Sequence, residues 1–109
     1  MTDKRLVLST CASREQAHRI GRKLVEGQMA ACVNVIGPID SIYRWKGKVE
    51  SAHEFLMLIK TTAENVERLS DEIRRLHSYE LPEILEFNVE SGLEAYLDWI
   101  GDSVTGTQP

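Results

Sequence analysis

The chain has 109 residues, and 13 Lys plus Arg against 17 Asp plus Glu leave a formal net charge of −4. That length suits one domain with one core, and 42% hydrophobic with 28% charged residues is globular composition, not disorder. The acidic balance, with a sequence pI of about 5.4, excludes nucleic acid or an anionic membrane as a main partner. In chain order, Arg5-Leu6-Val7-Leu8-Ser9-Thr10 reads as a short strand whose apolar run suits a central place in a sheet. Ser13-Arg14-Glu15-Gln16 is a capping box, followed at helical spacing by Ala17, Ile20, Gly21, Leu24 and Val25, with Gly27 at the C-terminal cap. A long strand is expected from about Met29 to Lys46, bulged at Gly37-Pro38 because proline cannot donate to a ladder. Lys46-Gly47-Lys48 is a tight turn, and the return strand runs from Val49 to Lys60 with Val49, Phe55, Met57 and Ile59 on one face. A second capping box, Thr61-Thr62-Ala63-Glu64, opens a helix with Val66, Leu69, Ile73 and Leu76 on its stripe and Glu64–Arg68 and Asp71–Arg75 as i, i+4 pairs. A last strand spans Ile84 to Val89, and a third box, Ser91-Gly92-Leu93-Glu94, opens a helix with Leu93, Tyr96, Leu97 and Ile100 on one side.

The order β-α-β-β-α-β is the split βαβ pattern, so the expected fold is α+β and ferredoxin-like, a four-stranded antiparallel sheet with an extra C-terminal helix. Residues 1–101 form the single domain and 102–109 a flexible tail. A hairpin arm of about 14 residues would be about 46 Å long, against a radius of gyration of about 13 Å for a compact domain of this length. The long hairpin therefore bends sharply at Pro38 onto its own sheet, or it projects. A projecting edge carrying Ile39, Ile42, Tyr43 and Trp45 calls for strand pairing with another subunit.

No apolar run approaches the roughly 20 residues that span a bilayer, and the N-terminus is charged at once, so neither membrane nor signal peptide is expected. Cys11 and Cys32 alone make no disulfide framework, which points to a reducing, cytoplasmic compartment. No GxSxG, P-loop or post-strand GxGxxG is present, and no enzyme is expected. His18 reads as solvated, His53 as a hydrogen-bonded residue at a subunit contact, Cys32 as a small core residue, and Cys11 as a strand-end thiol before a helix N-terminus. The densest polar and aromatic cluster is the loop from Leu76 to Glu83, where His77, Glu80 and Glu83 place one imidazole near two carboxylates.

Four blocks, MAACVN (29–34), SIYRWKGKVE (41–50), LIKT (58–61) and HSYELPEI (77–84), resemble the CutA family of divalent-cation tolerance proteins, the likeness running from about Leu6 to Ile100. The resemblance implies a fold shared with the PII signalling proteins and a homotrimer held by strand pairing of the long hairpins. It also implies a non-enzymatic role in the response to metal ions, with copper or another divalent cation as the ligand. Copper-binding relatives use a cysteine at the end of the first strand and a His-His pair before Pro-Tyr. Here Ser9 takes the cysteine position, with Cys11 two residues along, and Leu76 and Ser78 replace the first histidine and the proline. The candidate metal ligands are thus His77, Cys11 and Glu83, and the candidate lining of a ligand cleft is Lys60, Tyr79, Arg44, Trp45 and Glu80. The alternative is a PII-like module that takes a small anion or nucleotide between subunits, with Lys60, Arg44 or Lys46 as anion contacts.

Overall fold

A computed structural model describes residues 2–104, which form β1 (Lys4–Cys11), α1 (Arg14–Glu26), β2 (Cys32–Trp45), β3 (Lys48–Thr62), a 3-10 turn (Ala63–Asn65), α2 (Val66–Leu76), β4 (Leu85–Asn88) and α3 (Glu94–Ser103). The sheet order is β2-β3-β1-β4 with antiparallel pairing throughout, the arrangement the element order predicts. β1 sits between two neighbours, as its apolar run requires. Alternation sends Val7, Ser9 and Cys11 to one face, where Met57 and Ile59 of β3 join them under Ala17, Ile20 and Leu24 of α1 and Leu69 and Ile73 of α2. Each fully buried Leu or Ile in that layer contributes about 1.5–3 kcal/mol of hydrophobic stabilisation. α3 lies against β1 and β3, with Gly101 over Lys4 and Ile100 sealed beneath it.

The opposite face of the sheet stays apolar and largely uncovered. Register places Leu8 beside Leu85, Leu6 beside Phe87, and Leu56 beside Ile36. Leu85 and Phe87 are about half exposed, at 50% and 47%. The hairpin leaves the body as well: Ile42 and Val49 near its tip are 76% and 66% exposed, and the chain measures 43 × 28 × 22 Å.

The bulge forms where proline demands it. Ile36 pairs with Leu56 and Ile39 with Glu54, so Gly37 and Pro38 together oppose Phe55. Arg14 pins the bulge, donating to the Gly37 carbonyl at 2.9 Å while its guanidinium lies 4.8 Å from the centroid of the Phe55 ring. At the tip, Lys46 and Gly47 take φ of 51° and 80°, the paired left-handed geometry of a two-residue type I′ turn.

Local signals mislead in five places. Only the first capping box makes its N-cap bond, the Ser13 hydroxyl accepting from the Gln16 amide at 3.1 Å, and even there the buried Gln16 Oε1 has no return partner. Thr61 instead extends β3, because the ladder runs on through Arg5–Thr61 and Lys4–Thr62, and its hydroxyl donates to the Met29 carbonyl at 2.6 Å. Ser91 lies outside α3, since the Tyr96 and Leu97 amides both close on the Leu93 carbonyl. Residues 29–31 are not strand; the Met29 and Ala30 amides turn back to the Leu24 carbonyl and finish α1, with the left-handed position at Gln28, φ 58°. Arg75 pairs with Glu72 rather than Asp71, reaching both carboxylate oxygens at 2.9 and 2.7 Å. α3 continues through Ser103, so the first two residues of the expected tail, Asp102 and Ser103, are helical, and residues 105–109 lie outside the described residues.

Candidate functional site

The projecting hairpin, the end of β1 and the loop after α2 enclose a cleft of about 700 Å³. Cross-strand pairing puts Tyr43 opposite Glu50 and Ile39 opposite Glu54, so both carboxylates stand on the sheet side that also carries the Tyr43 ring. The loop enters from across the cleft with Tyr79, Glu80, Leu81 and Glu83.

Two hydrogen bonds hold the loop to the sheet and a third braces it internally. The Tyr79 hydroxyl donates to Glu54 Oε2 at 2.7 Å, the Tyr79 amide donates to His77 Nδ1 at 3.0 Å, and His77 Nε2 stands 2.7 Å from the Thr10 carbonyl. A carbonyl only accepts, so Nε2 carries the proton and Nδ1 presents its lone pair, which is one neutral tautomer. The two rings lie 4.7 Å apart, tilted at 45°. Burial first, then the hydrogen bond to Glu54 and its negative charge, hold the Tyr79 phenol well above its ordinary range. Burial, reinforced by the same Glu54 charge, pushes the Cys11 thiol up to about 11. Cys11 is a sealed core thiol, and the helix N-terminus does not activate it.

Of the residues singled out from sequence, the cleft gathers Tyr79, Arg44, Trp45, Glu80 and Glu83. Lys60 is elsewhere, six residues along β3 from Glu54 and so about 20 Å away. There it pairs with Cys32 in the ladder, hydrogen-bonds Asn34 Oδ1, and places its ammonium 3.9 Å from Cys32 Sγ. Cys32 is consequently half-buried on the edge strand and is not a core residue. His53 is exposed and hydrogen-bonded, its Nδ1 2.9 Å from Asp40 Oδ1, and His18 is exposed on α1. Glu54, Glu50 and Thr10 went unrecognised as cleft residues. The available signal was strand parity, which puts Glu50 and Glu54 together and opposite to Phe55, but only the bulge register identifies Glu54 as the partner of the loop.

Residues 5–103 match the family described as CutA1 divalent ion tolerance protein. The chain belongs to the CutA1 family. It is 44% identical over 95 residues to the divalent-cation tolerance protein CutA of Archaeoglobus fulgidus, covering 87% of this chain and 92% of that protein. It is 46% identical over 91 residues to the human protein CutA, where the match spans 84% of this chain but only 51% of the human protein. Among solved structures, CutA from Xylella fastidiosa superposes with a TM-score of 0.93 at 39% identity, over 95% of this chain and 100% of that one. The Thermus thermophilus divalent cation tolerance protein gives 0.92 at 39% identity, over 94% and 99%.

The copper ligand set implied by the CutA resemblance does not fit the geometry of this chain. The first-strand position is Ser9, fully buried, and Cys11 faces the same core with a thiol that stays protonated at neutral pH. Both nitrogens of His77 are already engaged, while Glu83 is an exposed residue of the cleft. Among the described residues no three His, Cys, Asp or Glu side chains are grouped to hold a metal ion.

Proposed function

We propose that this CutA1 chain works as a non-enzymatic cytoplasmic homotrimer in the response to divalent cations, with the cleft beside the hairpin as its place of ligand binding and cations meeting its acidic surface only weakly. The observation that carries the reading is the uncovered apolar face, Leu85 and Phe87 on the open edge strand β4 and Ile42 and Val49 on the projecting hairpin. Such edges aggregate unless a closed assembly uses them. The number three comes from the family resemblance. Three copies carry three times −4, that is −12, a field that draws cations and repels anions. Two unpaired cysteines suit the cytoplasm.

The PII-like alternative is disfavoured by charge. The cleft presents Glu50, Glu54, Glu80 and Glu83 against the single guanidinium of Arg44, and Lys60 is out of reach of it. A phosphate would enter against that field. Light scattering on the eluting protein tests the assembly: a mass of three 12.4 kDa chains is expected, stable on dilution, and a monomer would overturn the proposal.

A further inference from the structure

The two cysteines stand on opposite sides of the sheet. Val33 and Val35 pair with Ile59 and Met57 on the helix-covered face, so alternation turns Cys32, Asn34 and Lys60 to the open one. Cys11 faces the sealed core, and within one chain the sheet keeps the two thiols apart. What Cys32 meets instead is an amine. Cys32 and Lys60 are direct cross-strand partners, which brings their Cβ atoms to about 5 Å. Asn34, two residues along on the same face, accepts from the Lys60 ammonium through Oδ1 and folds it back over the sulfur, with Nζ 3.9 Å and Oδ1 3.8 Å from Sγ. The backbone beside the pair is pinned: the Ala31 amide donates to the Lys60 carbonyl at 2.9 Å, and the Thr61 hydroxyl to the Met29 carbonyl at 2.6 Å. Cys32 is half-buried on the outer strand, within reach of a small oxidant, whereas Cys11 is fully enclosed and its thiol stays protonated.

We infer that Cys32 and Lys60 form a redox modification site, closed by peroxide into an intrachain sulfenamide cross-link. The Cys32 sulfur attacks the peroxide, the O–O bond breaks, and the departing hydroxide takes the thiol proton as water, leaving a sulfenic acid. Lys60, its ammonium proton given up to solvent, then attacks that sulfur with the nitrogen lone pair. An S–N bond forms, the S–O bond breaks, and the hydroxide leaves as water with one amine proton. In sum, thiol, ammonium and one peroxide give the sulfenamide, two waters and one proton, and the two electrons lost at sulfur reduce the peroxide. Both reacting groups belong to one chain and the oxidant is smaller than a side chain, so the step needs no docking surface. It also removes a cation, because a sulfenamide nitrogen is not protonated at neutral pH. That charge is lost from the open sheet face, where Lys60 stands beside Leu6 and Leu58.

Intact-mass spectrometry and isoelectric focusing of the full chain under graded hydrogen peroxide are the test. Each chain should lose two hydrogens and shift by one charge toward acid, a joint signature that no disulfide gives, and excess thiol should restore both. Peptide mapping of the parent should join the Cys32 peptide to the Lys60 peptide. Cys11→Ser should react as the parent does. Lys60→Arg keeps the charge but offers a guanidinium that does not attack sulfur at neutral pH, and it should gain oxygen atoms at Cys32 instead. A parent that fails to react or only gains oxygen, a mass loss without the acid shift, or a Lys60→Arg chain that still loses two hydrogens would each overturn the assignment. The mapping of the parent decides the question even where a variant does not fold.

Discussion

Gly37→Ala tests whether the bulge is a packed feature of the fold or a tolerant bend. A Cβ built on Gly37 would stand 2.5 Å from Phe55 Cδ2, 3.0 Å from the Glu54 carbonyl oxygen and 3.1 Å from Phe55 Cα. Two of those three neighbours are backbone atoms of β3, where Glu54 pairs with Ile39 of β2 and Phe55 with Cys11 of β1, so they cannot withdraw without disturbing a ladder. The third belongs to a ring under the Arg14 guanidinium, which also grips the Gly37 carbonyl. Overpacking of this kind costs about 1–3 kcal/mol, and the rigid neighbours put the expected loss at about 2–3 kcal/mol. At about 4 °C per kcal/mol for a domain of this size, the unfolding midpoint falls by about 8–12 °C. The internal comparator is Gly101→Ala in α3. Its Cβ would meet only the flexible end of Lys4 at 3.5 Å, and replacing a helical glycine gains about 0.5–1 kcal/mol. Thermal unfolding followed by circular dichroism, at one protein concentration for all variants, reads both changes. A Gly37→Ala midpoint within about 3 °C of the parent, below even 1 kcal/mol on that scale, would refute the claim that the bulge is closed to a side chain.

Four further outcomes follow from the site and the surface. Tyr79→Phe leaves the Glu54 carboxylate without its donor and should cost about 1–2 kcal/mol in urea unfolding. Because the folded-state pKa values of Cys11 and Tyr79 are raised, their contribution is complete at neutral pH and declines upward; for Cys11 the loss falls between pH 9.0 and about 11, and Cys11→Ser should flatten that part of a stability–pH curve. Phe87→Asp puts a charge on the uncovered sheet face and should lower the mass seen by light scattering to that of one chain, with an unchanged mass counting against that face as the contact. Copper(II) titration in a non-chelating buffer should give the same weak heats for the parent and His77→Ala, since both ring nitrogens are already bonded, and a strong signal lost in His77→Ala would restore that residue as a ligand.

The fold was legible because its determinants are local and periodic. The stripe Ala17, Ile20, Leu24 and the alternation Met57, Ile59 name their buried faces directly, and proline in a long strand announces the bulge. Helix starts were less legible, since a hydroxyl three residues before a glutamate is only an offer. At Thr61 the cross-strand ladder outbid it, a contact with residues 56 positions away in sequence. For the cleft, residues near one another in sequence, Arg44 with Trp45 and Tyr79 with Glu80, were readable as groups. Glu54 was not, because its tie to Tyr79 spans 25 residues and depends on the register shift at Gly37 and Pro38.

The same parity that made Cys11 look like a substitute for Ser9 disqualifies it. Two residues along a strand keep a side chain on one face, and here that face is the one sealed by α1 and α2. The thiol therefore shares a face with Ser9 but not with solvent, and burial keeps it protonated. His77, the one histidine left in the loop, reaches toward the strand only as far as the Thr10 carbonyl, and spends its second nitrogen on the Tyr79 amide. Its ring thus anchors the loop that carries Tyr79, Glu80 and Glu83 to the cleft. In this sequence His77 works as a structural strut for an acidic, aromatic-walled cleft.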